Sequence, residues 1–440
     1  MNKMITLIHS VPENRPFPED LYNFVQNQRE NAVLVMGRRS FYALPKHTRP
    51  ENVIVITHNP RAYKGPVKHM TLETFEKTAG NYLLLMSSLS RCFVQKADRV
   101  YVVQHAEAKP VKHADLVPDK AYLYGYTKTP HYNLLLYKAT SEPPQEALYN
   151  SLIADIITKG QLRPTRTRSP AYSLFNQMLT FDVSDGKIPL MTSKYTSFNS
   201  IVQELLFFLR GNTDTKLLLD KSVRIWEHNT NKNALEALNL NYREHVMGPM
   251  YGWSWRHFNA EYSQTLADTT HVNRKAIGGF DQIEHVINLL KTDPFSKRIY
   301  ITNMNPSVAK DCVLHPCHTS VHFYVTREQG TMYLSCTFYM RSSDALAFSY
   351  NVSSYTILLN ILAKKANLEP KEIVYHAVDA HVYLENLAAT KVQIARSFKP
   401  APRLYLNPDI ARKPIECISQ DDIELIGYFS NPSIKMSCAN

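Results

Sequence analysis

Short apolar runs separated by polar, turn-forming residues recur through the first third of the chain. They fall at Ile5–Ile8, Ala32–Met36, Asn52–Thr57, Tyr82–Met86, Arg99–Gln104 and Asn133–Lys138. Runs of this length predict buried strands, and the amphipathic stretch Glu19–Arg29 between the first two predicts a helix. Strands alternating with helices are the rhythm of an α/β domain, placed at residues 1–138. Residues 139–145, Ala-Thr-Ser-Glu-Pro-Pro-Gln, are polar and carry a proline pair that neither a helix nor a strand interior accommodates, so they predict a linker. Beyond it the pattern changes. Ala147–Thr158 predicts a helix, and Ile201–Leu209 is apolar on nearly every side, which predicts a buried helix with Glu204 inside it. The run from His318 to Val325 alternates as a strand does.

A chain of 440 residues with 44% hydrophobic content exceeds what one core serves, which agrees with two domains, 1–138 and 146–440. Six cysteines at irregular spacing make no disulfide framework and are expected to be free thiols in a reducing compartment. The apolar start Met1–Ile8 is interrupted by His9 and Pro12 too early for a signal peptide, and no later apolar run reaches membrane-spanning length. These features predict a cytoplasmic protein with no membrane partner. The net charge of +11 is spread along the chain, so small phosphorylated substrates account for it as well as nucleic acid does.

The candidate chemistry centres on Leu314-His315-Pro316-Cys317-His318, which holds a thiol at a strand entrance. A free thiol has a pKa of about 8.5 and reacts as the thiolate, so a nucleophilic cysteine needs cations nearby. Arg166, Lys297, Arg298 and Arg341 are the candidates; the alternative is a small buried hydrophobe. Zinc is disfavoured, since Cys312, Cys317 and Cys336 form no Cys-x-x-Cys spacing and Cys317 and His318 would face opposite sides of a strand. Glu204 is either half of a structural ion pair or a proton-handling group with an elevated pKa. Arg163-Pro164-Thr165-Arg166-Thr167-Arg168-Ser169 suits a phosphate or a solvated loop. The aromatic clusters Val223–Trp226 and Gly248–Arg256 suit core packing or a ligand platform.

Taken in order, Arg166, Glu204-Leu205-Leu206, Ile225-Trp226, Gly248-Pro249 with Tyr251-Gly252, Trp255-Arg256, Pro316-Cys317-His318, Phe323-Tyr324-Val325, Arg341-Ser342 with Asp344, Asn351 with Ser354-Tyr355, and Asp379 with His381 and Tyr383 resemble thymidylate synthase over residues 146–440. The resemblance implies an α+β domain that methylates dUMP, with 5,10-methylenetetrahydrofolate as co-substrate. It implies that Cys317 adds to C6 of the pyrimidine and that Arg341 lowers the thiol pKa and touches the phosphate. Arg166 and Ser342 would complete the phosphate cradle, joined in a homodimer by Lys297 and Arg298 of the neighbouring subunit. Lys297 stands where the family has a second arginine and lacks its bidentate fork. Glu204 and Tyr251 would handle protons. Asn351 would read the pyrimidine face, His318 would bind the substrate, and His381 and Tyr383 would hold the ribose hydroxyl. Trp226, Asp344 and Tyr350 would meet the folate. No metal is implied, and nucleic acid is not required.

Three departures stand out: Met340 before Arg341, Arg168-Ser169-Pro170 in the phosphate loop, and a segment between Asp344 and Asn351 that is one residue short and has lost its glycine. Met-Arg-Ser followed by Asp344 is also similar to the phage nucleotide hydroxymethylases of the same superfamily, in which water captures the methylene on dUMP or dCMP. A third alternative is a retired scaffold that binds nucleic acid through its basic surface; the many costly polar residues at the site argue against it.

In the first domain, Val35-Met36-Gly37-Arg38-Arg39-Ser40-Phe41, Asn52–Thr57 and Ala97–Tyr101 resemble dihydrofolate reductase. The family's paired glycines are replaced by Ser87-Ser88, the loop Ser10–Pro18 is compressed, and only Glu19 or Asp20 could serve the pteridine. The domain is therefore expected neither to bind NADPH tightly nor to transfer hydride.

Overall fold

The structure, a computed structural model, describes residues 144–166, 169–267 and 277–437, and the strands of a sheet N-terminal to these. It divides into two compact units, Met1–Pro144 with Ser397–Pro402 and Gly427–Phe429, and Gln145–Arg396 with Arg403–Ile426 and Ser430–Asn440.

In the first unit the strands are β1 (Met4–Val11), β2 (Val33–Gly37), β3 (Val53–Ile56), β4 (Lys68–Met70), β5 (Asn81–Leu85), β6 (Arg99–His105), β7 (Ala121–Lys128) and β8 (Tyr132–Ala139). They form one sheet in the order β4-β3-β2-β5-β1-β6-β8-β7. Strand β1 is parallel to both neighbours, and β8 and β7 close one edge antiparallel. Parallel strands are covered on both faces, and the near-continuous apolar runs of β1, β3 and β5 are their sequence signature. Two strands were not expected from the pattern. Strand β4 is three residues long and opens Lys68-His69, while β7 is broken by a register shift between Leu123 and Gly125. The expectations resting on Glu19–Arg29, on Pro12–Pro18, on Arg38–Phe41, on Ser87-Ser88, on Arg168 and on linker residues 140–143 lie outside the described residues.

The second unit opens with α1 (Ala147–Lys159) and the strands β9 (Gln161–Arg163) and β10 (Ala171–Asp182), then α2 (Phe198–Leu209) and α3 (Gln282–Thr292). There follow β11 (Tyr300–Thr302), β12 (His318–Glu328), β13 (Thr331–Met340), β14 (Ser343–Asp344), α4 (Phe348–Ala366) and β15 (Glu369–Tyr383). The sheet runs β11-β12-β13-β15-β10-β9, with β14 beside β15. It is mixed: β13 and β15 are parallel, the other long pairs antiparallel. With helices against it, this is an α+β domain.

Alternation along β12 buries Val321, Phe323 and Val325 and exposes His322 and Tyr324, so one face of the sheet meets the helices. Helix α4 packs on α2, α3, β13 and β15, and its Ile357, Leu358, Leu359, Ile361 and Leu362 are fully buried. Burial of each such side chain contributes about 1.5–3 kcal/mol, which fixes the helix whose first turns carry Tyr350 and Asn351. The stretch Ala345–Ala366 corrects one expectation, since by length and composition it could cross a membrane; 83% of its apolar window is buried within the protein. The four described cysteines, Cys312, Cys317, Cys336 and Cys417, are free.

Candidate active site

Cys317 is the last residue before β12, pinned from both sides. Its backbone N–H donates to the Tyr251 hydroxyl at 2.9 Å, and its carbonyl accepts from the Arg341 N–H at 2.9 Å. The Arg341 side chain folds back over the same turn, donating from Nε to Pro316 O at 3.0 Å and from Nη2 to His315 O at 2.7 Å. This leaves Nη2 3.5 Å from Cys317 Sγ. Burial pushes the Cys317 thiol up, and Arg341 and then Arg166 pull it down. The cations act in the expected direction, but the net shift is upward, because desolvation outweighs them.

The tyrosine that holds Cys317 is placed by an unusual turn. Gly248 has φ of 79°, and a Cβ there would sit 2.2 Å from Asp311 O; at Gly252 one would lie 2.7 Å from Asn212 O. Glycine is required at both positions because backbone atoms leave no room for a side chain. Between them Tyr251 itself takes φ of 39°, stacked on Phe208 at 4.9 Å and tilted against His318 at 5.0 Å. Burial holds the Tyr251 hydroxyl well above its ordinary pKa, so it stays a neutral phenol.

Two cavities meet at Cys317 and Asn351. The first, of about 520 Å³, is lined by Arg163, Arg166, Arg341 and Ser342 together with Ser173, Asp379, His381 and Tyr383. Asp379 is the hub of its far wall: Oδ1 accepts from Ser173 Oγ at 2.8 Å and lies 3.2 Å from His381 Nδ1, and Oδ2 faces Arg163 at 3.2 Å. Burial alone would depress the His381 imidazole, but Asp379 and Asp344 raise it above its ordinary value. Three arginines against two carboxylates give this cavity a cationic balance, suited to a phosphate.

The second cavity, of about 420 Å³, is lined by Lys194, Glu204, Trp226, Tyr251, His318 and Tyr350 among others. Glu204 on α2 is buried and accepts from Trp226 Nε1 at 2.8 Å. Desolvation lifts its carboxyl to about 7, with Trp226 and Tyr350 pulling the other way. Among the described residues, the contacts of Glu204 are to Trp226 and Tyr350 and not to a cation. Burial pushes the His318 imidazole down to about 4 against the pull of Asn351, so His318 is neutral near pH 7.

Asp344 lies beside Lys194, whose ammonium is pushed down to about 8 by burial, with Asp344 opposing. Burial raises the Asp344 carboxyl, while the Leu346 N–H, His381 and Lys194 hold it back. The backbone leading to Lys194 is tied down by Glu146, a buried carboxylate that accepts from the N–H groups of Thr192 at 2.6 Å and Ser193 at 2.9 Å. Among the described residues, no cluster of three or more His, Cys, Asp or Glu side chains is placed to hold a metal ion.

The fold thus brings together Cys317, Glu204, Tyr251, Arg341, Asp344, Arg166, His318, Ser342, Asn351, His381, Tyr383, Trp226 and Tyr350. Lys297 and Arg298 line neither cavity; they are exposed on the approach to β11. Lys194, Asn229, Ser173 and Glu146 were missed. The buried ends of Glu146 and Lys194 depend on a long-range contact between α1 and the segment before α2, which no local pattern announces. A lysine three residues after the apolar run Ile188–Met191 was the available signal for Lys194. The shortened segment after Asp344 forms a turn of 3-10 helix, Ala345–Ala347, in which Leu346 and Ala347 line both cavities.

The family model described as thymidylate synthase matches residues 147–440. A bifunctional dihydrofolate reductase-thymidylate synthase of Paramecium tetraurelia is 32% identical over 446 residues, covering 96% of this chain and 93% of that protein. One of Leishmania major is 29% identical over 483 residues, covering 98% and 91%. The thymidylate synthase of Candida albicans is 37% identical over 309 residues, covering 66% of this chain and 96% of that protein.

Proposed function

The chain belongs to the thymidylate synthase family, and we propose that its joined cavities carry out the reductive methylation of dUMP at C5 with Cys317 as nucleophile. Methylenetetrahydrofolate supplies the one-carbon unit and the hydride and leaves as dihydrofolate. The observation that carries this reading is the meeting of a cationic cavity and an aromatic one at a single pinned thiol.

In this reading Arg166, Arg341 and Ser342 take the phosphate, and His381 and Tyr383 the ribose. The Cys317 thiolate adds to C6, and the electron pair displaced from the C5–C6 bond makes C5 the nucleophile. The negative charge that grows on the base meets neutral donors rather than ions. Asn351 offers its amide, His318 stays uncharged, and Glu204, with a pKa of about 7, can hold a proton or return it near neutral pH. Tyr251 lies close enough to Cys317 to serve the departing C5 proton through water. C5 bonds to the one-carbon unit; loss of the C5 proton then expels the folate nitrogen and leaves an exocyclic methylene with Cys317 still on C6. Hydride transfer from the released tetrahydrofolate to that methylene expels the thiolate and yields dihydrofolate. Trp226, Tyr350 and Asp344 bound the folate side. The similar proteins are synthases and lend no support to hydroxymethylation. Mass analysis of the product made from dUMP and methylenetetrahydrofolate is the test: a methyl product is expected, and a hydroxymethyl product would replace this reading.

The working form in this reading is a homodimer. Phe175 is 80% exposed, Met178 66% and Tyr324 68%, an apolar content unusual for a sheet face left in water. Lys297 and Arg298, exposed and outside both cavity linings, would serve a neighbour's phosphate site. Residues 1–138 are read as a reductase-like domain. The names of the Paramecium and Leishmania proteins and the mainly parallel sheet support that, while Ser87-Ser88 in the sequence favours a domain without hydride transfer. Titration of the full chain with NADPH and a dihydrofolate reduction assay test it; micromolar NADPH binding with turnover would overturn the inactive reading.

A further inference from the structure

We propose that Arg163 is an additional ligand for the substrate phosphate, held in reserve by Asp379 until nucleotide arrives. The inference rests on reading the cationic cavity as the nucleotide site. Arg163 closes β9, and Pro164 after it favours an extended backbone at Arg163. Its side chain lines the same cavity as Arg166, Arg341 and Ser342.

Its present partner is weakly bound. One Nη1 lies 3.2 Å from Asp379 Oδ2, with the Arg163 side chain 58% exposed and that of Asp379 32% exposed. A single-contact pair in that much water contributes little. Asp379 does not depend on it either. The carboxyl is held below its ordinary range first by His381, then by Ser173, with Arg163 the least of the contributors named. A phosphate dianion offers a guanidinium two parallel charge-assisted hydrogen bonds in place of this one. Arg163 can therefore leave Asp379 without stranding a charge, and Asp379 remains bonded to Ser173 and His381 on the ribose side.

The test compares a nucleotide with its nucleoside. In the full-length protein, Arg163→Ala should weaken dUMP binding about tenfold, the low end for a charge-assisted hydrogen bond. Inhibition by inorganic phosphate should weaken in parallel, and deoxyuridine, measured by ligand-observed NMR, should bind within about twofold of wild type. Arg163→Lys, which keeps the charge and loses the fork, should fall between. Unchanged dUMP affinity in Arg163→Ala would overturn the proposal. So would equal weakening of dUMP and deoxyuridine, which would make Arg163 a support for Asp379 and not a phosphate ligand. A wild-type chain that fails to bind dUMP while folded would sink the nucleotide-site reading itself, a result distinguishable from either.

Discussion

The Cys317 thiol is the least replaceable atom in the proposed chemistry, because only a thiolate both adds to C6 and leaves again. Cys317→Ser keeps Arg341 bonded to the carbonyls of His315 and Pro316, since neither bond uses the sulfur. Turnover should fall by about 10³-fold or more while dUMP affinity changes by less than about threefold; substantial residual turnover would remove the nucleophile assignment. Glu204 is expected to set the pH dependence of the proposed reaction. Its pKa of about 7 predicts an inflection of kcat/KM near that pH. The Tyr350 hydroxyl is buried beside Glu204 and lowers its pKa, so Tyr350→Phe should move the inflection to higher pH. An inflection that stays in place, or moves down, would separate Tyr350 from Glu204. At this scale the sequence was informative where a residue type is costly in its setting, such as a carboxylate within Ile201–Leu209. It was silent on the net direction of the Cys317 shift, because that depends on how much water the folded site excludes.

Turns, more than the regular elements, set the site's geometry. Gly248 and Gly252 let the chain pass within van der Waals range of backbone at Asp311 and Asn212, and so deliver the Tyr251 hydroxyl to the Cys317 amide. Gly248→Ala should cost about 1–3 kcal/mol of stability through positive φ and the clash with Asp311 O, read as a lower Tm, and should lower kcat in the fraction that stays folded. An unchanged Tm together with full activity would mean that the turn relaxes freely. Strands such as β1, β3, β5 and β12 were legible because the apolar pattern alone decides them. Strands β4 and β7 were not: pairing with β3 and β8 holds three residues beginning Lys68-His69 and a segment interrupted by Gly125. The link from Glu146 on the approach to α1 to Thr192 and Ser193 was equally hidden, since a carboxylate gives no local sign that it will cap distant amides.

For the molecule as a whole, the proposed function joins a nucleotide cavity to a folate cavity and completes the first with cations from a second copy. Mixing a Cys317→Ser subunit with a Lys297→Ala/Arg298→Ala subunit should restore activity that each lacks alone, because one site in the mixed dimer then carries neither lesion. Subunit exchange shown directly, with no recovery of activity, would rule out the shared site. The proline pair and the change of pattern are what suggest two domains in the sequence, whereas the proposed sharing of a site between copies is not a property that one chain's periodicity encodes. The central claim is covalent attack by Cys317 on the pyrimidine, and 5-fluoro-dUMP tests it most directly. Fluorine cannot depart from C5 as the proton does, so with methylenetetrahydrofolate present the reaction should stop at a stable adduct. Intact-protein mass spectrometry followed by peptide mapping should find nucleotide and folate together on the peptide that contains Cys317. Absence of an adduct from protein that turns over dUMP, or its appearance on another cysteine, would contradict the assignment.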